Sequence, residues 1–147
     1  MLTFLTSLAL SLVFSFLQIN IFATLLGVRA NFILALVVAY ALIEKDWLRR
    51  MGLIIFSVLM ILQTPTISLH SMLTLLVLVL IAALTDYLSW HATLTAFTFV
   101  LFGTIVFNLD GFGFGVFFLE LLYNLIMTLL FYGVCAIIKT RSRFLDE

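Results

Sequence analysis

Residues 31–62 read NFILALVVAYALI, then EKDWLRR, then MGLIIFSVLMIL, so two apolar runs, Asn31 to Ile43 and Met51 to Leu62, flank a connector that carries Glu44, Lys45, Asp46, Arg49 and Arg50. Runs of 13 and 12 residues fall in the length class that is often re-entrant rather than spanning, since a transmembrane helix needs about 20 residues. A re-entrant hairpin would place the charged connector at bilayer depth. At ~2.5–3.5 kcal/mol per charged residue, that costs on the order of 10 kcal/mol. Two short spanning helices are cheaper, with Trp47 at the interface, Arg49 and Arg50 snorkelling outward and the bilayer thinned locally.

Composition supplies the reason to think of a bilayer at all. The chain has 147 residues, of which 65% are hydrophobic and 10% charged, against roughly 45–50% and about 25% for a soluble domain. A soluble domain of this size buries only about 70% of its chain surface, so much of the excess would face water. Seven basic and seven acidic residues leave no net charge, and nothing in that balance points to a nucleic-acid partner. The single cysteine, Cys135, sits in an apolar run, which excludes an intrachain disulfide and reads as a buried thiol. Met1 to Ser7 carries no Lys or Arg, and no small-residue cleavage site ends a short apolar core. The first segment therefore reads as a retained membrane helix.

Working outward, charges and turn formers divide the chain into six apolar stretches: Leu2 to Gly27, Asn31 to Ile43, Met51 to Leu62, Ile67 to Leu84, Ala92 to Leu109 and Val116 to Ile138. Backbone polar groups in lipid must be satisfied within the segment, so each stretch is expected to be helical. The expected fold is all-α, a six-helix transmembrane bundle forming a single domain over 1–147, with segments 2 and 3 short. Six spans place Lys45, Arg49, Arg50, Lys139, Arg141 and Arg143 on one side and Arg29 alone on the other. By the positive-inside rule both termini and the 44–50 and 85–91 connectors are cytoplasmic. The stretch Asn108 to Gly115 contains G-x-G-x-G, but no strand precedes it and no Lys follows it, so it reads as an exterior turn with interfacial phenylalanines rather than a phosphate loop.

Catalytic patterns are missing: there is no HExxH, CxxC or nucleophile elbow, and the expectation is a non-enzyme with no catalytic, cofactor or metal residues. His70 and His91 bound the fourth segment and its following loop from opposite ends, and a segment about 27 Å long keeps them too far apart to share a metal. Gln18 and Asn20 interrupt the first segment and read as interhelical hydrogen-bonding residues, and Asp86, beside Tyr87 and Trp90, as an interfacial cap. The sixteen phenylalanines are scattered rather than gathered into one box. The most informative polar residue is Glu120, with Tyr123, Asn124, Met127 and Thr128 at offsets that put them on one helical face. A carboxylate is costly in lipid, so this face should meet the bundle, a partner or a wet cavity. Its readings are a helix-locking polar contact, a partner- or ligand-binding face (Glu120, Tyr123, Asn124, Thr128), and last a proton relay.

Three stretches resemble the bacterial rod-shape-determining protein MreD family. Arg29-Ala30-Asn31-Phe32-Ile33-Leu34-Ala35-Leu36 resembles the start of that family's second segment. Gly52-Leu53, with Gln63-Thr64-Pro65-Thr66-Ile67-Ser68-Leu69-His70, resembles its third segment and the entry to its fourth. Glu120-Leu121-Leu122-Tyr123-Asn124-Leu125-Ile126, closing on Lys139, Arg141 and Arg143, looks like its last helix and basic tail. Where many members carry an acidic residue near the end of the third segment, this chain has Gln63. The resemblance implies a non-enzymatic inner-membrane scaffold of the cell-elongation, lateral peptidoglycan-synthesis machinery. It would control cell shape by binding an MreC-like bitopic protein and, through it, a RodA-like glycan polymerase and its transpeptidase. Two other classes share the size and helix count: the substrate-binding S-component of an energy-coupling-factor vitamin transporter, and a small proton-coupled carrier. Ser7 to Ser15 offers only Ala9 toward the Ala-rich first helix usual in S-components, and the carrier has only Glu120 in its favour.

Overall fold

The computed structural model describes residues 1–19, 24–25, 28–29, 31–61, 69–88, 91–109 and 113–145. It is an all-α protein with six helices: α1 (Leu2–Ile19), α2 (Phe32–Ile43), α3 (Trp47–Ile61), α4 (Leu69–Leu84), α5 (Ala92–Phe107) and α6 (Phe114–Leu145). Between α1 and α2, β1 (Thr24–Leu25) and β2 (Val28–Arg29) form a minimal antiparallel pair, with Thr24 opposite Arg29 and Leu25 opposite Val28. Gln63 to Thr66, Asp110 to Phe112, Asn20 and Trp90 lie outside the described residues.

Three boundaries differ from the sequence expectation. The first helix ends at Ile19 instead of continuing to Gly27, and Val28–Arg29 is a strand, not a loop. The antiparallel pair satisfies backbone groups that a longer α1 would otherwise have held. The third helix begins at Trp47, four residues before the apolar run, so Arg49 and Arg50 belong to its first turn. Asp46 explains the early start: its Oδ1 accepts from the Leu48 amide at 3.0 Å, as an N-terminal cap does. The sixth helix runs on through the basic tail to Leu145, 32 residues in all.

The second helix is the centre of the molecule. Every residue from Phe32 to Ala41 is buried, which a helix apolar all round requires. One face, Ile33, Leu34, Val37 and Val38, packs with Ile54 and Val58 of α3, Val77 and Ile81 of α4, Phe99 and Val100 of α5, and Phe117 of α6. The other face, Ala35, Leu36 and Ala39, meets Phe131 of α6 with Leu10 and Phe14 of α1. Phe14 also sits edge-on to Phe131, with ring centroids 4.7 Å apart. On α1, Thr3, Ser7, Ser11 and Ser15 recur every fourth residue and are all buried, so a narrow polar-but-small seam faces inward. There the Ser11 and Ser57 hydroxyls share a 2.7 Å hydrogen bond that ties α1 to α3.

The outside of the bundle is apolar. Phe16 is 67% exposed and Ile137 69% exposed, and Leu12, Leu59, Leu76, Phe118, Leu122 and Leu130 are exposed as well. One helical stretch, Phe114–Arg141, is long and apolar enough to cross a membrane, and Leu2–Gln18, Phe32–Ile43, Ser71–Leu84 and Ala92–Phe107 are apolar but shorter.

Candidate functional site

Burying a 12-residue helix inside a bundle creates a chemical problem at each end. The first backbone N–H groups and last C=O groups of any helix lack intrahelical partners, and here the flanking helices keep water from most of them. Gln18, Asn31, Asn108, Glu120 and Asn124 gather at one of those ends, and Glu44, Arg50, Asp86 and Lys139 at the other.

At the N-terminal end of α2, Asn31 accepts from the Leu34 amide through Oδ1 at 3.0 Å, an N-cap. Gln18 of α1 accepts from the Ile33 amide at 3.2 Å. Asn124 of α6 accepts from the Asn31 amide through Oδ1 at 2.6 Å and donates through Nδ2 to the Thr104 hydroxyl of α5 at 3.0 Å. That one fully buried carboxamide therefore joins α2, α5 and α6. A turn away, Asn108 donates through Nδ2 to Glu120 at 2.8 Å and to the Thr104 carbonyl at 2.9 Å, while the Thr128 hydroxyl folds back to the Asn124 carbonyl at 2.7 Å. A cavity of ≈ 50 Å³ opens beside this cluster, lined by Gln18, Asn31, Val58, Ile61, Ser71 and Thr74.

At the opposite end, cations meet carbonyls. The Lys139 ammonium of α6 donates to the Ile43 carbonyl, and Arg50 donates through Nε to the Glu44 carbonyl. Arg50 goes further, donating to the Ala82 carbonyl at 3.0 Å and to both carboxylate oxygens of Asp86 at 2.8 and 2.9 Å. Its side chain is 2% exposed, against 52% for Asp86. Amide oxygens at the helix N-terminus and cations at its C-terminus also complement the α2 macrodipole. Arg49 stays on the rim, paired with Glu44 at 3.4 Å and Asp46 at 3.1 Å.

Among the residues singled out from sequence, Asn124 and Thr128 are fully buried, and Glu120 and Tyr123 are half-buried. Glu120 and Asn124 join one polar cluster; Tyr123 makes no hydrogen bond among the described residues. Gln18, read as an interhelical contact, reaches a backbone amide of α2. Two expectations are corrected. Arg50 does not snorkel outward, because two carbonyls and a bidentate carboxylate satisfy its guanidinium inside the bundle; and Asp86 is that guanidinium's partner rather than a free-standing cap. Sequence reasoning missed this pair, since its members lie 36 residues apart, one in the first turn of α3 and the other just after α4. The usable signal was an Arg and an Asp that six alternating helices put at the same end. His91 is exposed and the His70 side chain lies outside the described set. Among the described residues no three His, Cys, Asp or Glu side chains gather in a metal-holding group.

These features define a class, an all-α six-helix bundle with an apolar exterior and its polar groups spent on helix ends. Beyond that class, no family model, no curated protein and no solved structure matches the chain.

Proposed function

We propose that the chain is a polytopic, non-enzymatic scaffold subunit of a bacterial inner membrane, working in the cell-elongation machinery that lays down lateral peptidoglycan. The observation that carries the scaffold reading is how the interior polar groups are used. Asn124, Gln18, Asn31, Lys139 and Arg50 each hold a backbone group of α2 or of its flanking residues, which leaves the bundle stitched rather than hollow.

The membrane component draws support from the apolar exterior and from the long apolar stretch Phe114–Arg141. Twelve residues of α2 rise only about 18 Å, well short of about 30 Å of hydrocarbon. That shortfall carries little penalty for a helix whose residues Phe32 to Ala41 are all buried against its neighbours. Placement in the elongation machinery rests on the resemblance of the 29–36, 52–70 and 120–143 stretches to the MreD family, which implies an MreC-like bitopic partner and, behind it, a RodA-like polymerase with its transpeptidase. The S-component alternative needs a vitamin-sized chamber at the exterior end. The cavity that the described residues line there has ≈ 50 Å³, against roughly 300–1,000 Å³ for small-molecule sites.

Co-purification from native membranes in mild detergent tests the proposal. Recovery of a single-span protein with a coiled-coil region, together with a polytopic glycan polymerase, is the expected result. A soluble ATPase pair with a second transmembrane subunit would replace the scaffold by a transporter component.

A further inference from the structure

We propose that the cleft between the C-terminal ends of α2 and α6 binds an anionic phospholipid; this rests on the membrane reading above. A groove of ≈ 280 Å³ is lined by Leu42, Ile43, Tyr132, Ala136, Lys139 and Thr140. A shallower one of ≈ 430 Å³ shares Ala136 and Thr140 with it and adds Ile137 and Arg141. The two grooves adjoin along Ala136 and Thr140, with Lys139 on the α2 side of that edge and Arg141 on the other, and their chemistry changes along the α6 axis. Aliphatic groups of Ala136 and Ile137 come first, and the two cations follow within a turn. The Lys139 ammonium is anchored on the Ile43 carbonyl at the cleft floor. Arg141 is exposed and makes no ion pair among the described residues. The neighbouring arginines are committed elsewhere, Arg49 to Glu44 and Asp46, Arg50 to Asp86.

Depth fits the same ligand. From Val116 to Ile138 the apolar part of α6 rises about 34 Å, close to the roughly 30 Å of a hydrocarbon core. Lys139 and Arg141 therefore fall at the phosphate level of the leaflet that the positive-inside rule makes cytoplasmic, where basic pockets between helices hold anionic headgroups. A soluble anion would use the cations but leave the aliphatic wall wet. An acyl chain covers that wall, and a headgroup without its own ammonium leaves the protein cations uncompeted. Phosphatidylglycerol has both properties; phosphatidylcholine lacks the second.

The full chain reconstituted in bilayers, with spin-labelled phosphatidylglycerol or phosphatidylcholine as probe, gives the motionally restricted fraction of each lipid. The expected preference for phosphatidylglycerol is about fivefold per cation engaged. Arg141→Gln, at an exposed position with no ion pair among the described residues, should lower it by about that factor. Lys139→Gln should lower it too, while Lys45→Gln, an exposed cation at the same end outside the cleft, should leave it unchanged. Equal retention of the two lipids overturns the proposal, as does an equal loss in Lys45→Gln, which would mean diffuse surface charge. Displacement by excess glycerol phosphate overturns it in favour of a soluble-anion site. A chain that never enters the bilayer refutes the membrane reading instead, a result distinct from all of these.

Discussion

Asn124 is the single side chain on which most of the N-terminal cluster depends. Replacing it with Leu removes the acceptor for the Asn31 amide and the donor to the Thr104 hydroxyl, leaving two polar groups stranded. An unsatisfied buried group costs about 1–3 kcal/mol, so Asn124→Leu should lower the midpoint of thermal denaturation in detergent clearly below that of the parent. Glu120 differs in kind, being half-buried with Asn108 as donor. If it locks α5 to α6, Glu120→Gln should behave as the parent while Glu120→Leu loses stability, because interhelical polar contacts contribute about 0.6–2 kcal/mol without needing a charge. Loss of partner recovery with Gln alone would instead assign Glu120 a charge-dependent contact. Tyr40 provides a test in the opposite direction. Its hydroxyl is buried with no hydrogen-bond partner among the described residues, so Tyr40→Phe should leave stability unchanged or raise it by about 1 kcal/mol.

Among the elements, the helices that were easiest to read are those whose ends carry charge or turn formers. Glu44 after Ile43, Asp86 after Leu84 and His91 before Ala92 mark boundaries that the structure places at Ile43, Leu84 and Ala92. The end of α1 was not legible, since Thr24, Leu25 and Val28 are as apolar on average as a helix and only strand pairing separates them from it. Which face of each helix looks inward was also hidden, because the exposed and the buried residues of these helices are alike in polarity. The centrality of α2 did leave a trace in its lack of any polar face. Its close neighbours follow from packing: a Cβ placed on Gly103 of α5 would come within 2.6 Å of Leu34 Cδ1 and 2.7 Å of Cδ2. Leu34 is fully buried and has little room to turn away. Gly103→Ala should therefore destabilise the bundle, by about 1–3 kcal/mol if it behaves as ordinary overpacking, read as a lower thermal midpoint, whereas Gly115→Ala, whose added Cβ meets nothing within 4 Å, should be close to neutral.

On the scale of the whole molecule, the two ends are defined by contacts before any membrane is considered. The 44–50 stretch is tied to Asp86 and Ala82 by Arg50, and the last residue of α2, Ile43, to α6 by Lys139. Gln18, Asn31, Asn108, Glu120 and Asn124 tie together the other end. Lys45, Arg49, Arg50, Lys139 and Arg141 thus share one end, which on the proposed membrane reading the positive-inside rule would turn toward the cytoplasm. Single cysteines can read this orientation in a Cys135→Ser background, which preserves a small polar group beside Ser7 where the buried thiol stood. Leu48→Cys suits the basic end, because Leu48 is exposed and uncharged and its replacement leaves the charge asymmetry intact. Asp110→Cys and Glu147→Cys report on the opposite end and on the C-terminus. In intact cells an impermeant maleimide should block Asp110→Cys, while Leu48→Cys and Glu147→Cys should be blocked only by a permeant reagent. Blocking of Leu48→Cys from outside would invert the topology. Labelling of Leu48→Cys and Glu147→Cys from opposite faces would require an odd number of crossings among α3 to α6. One of those four helices would then lie along the interface, and the six-span arrangement would fail even with the bundle contacts intact.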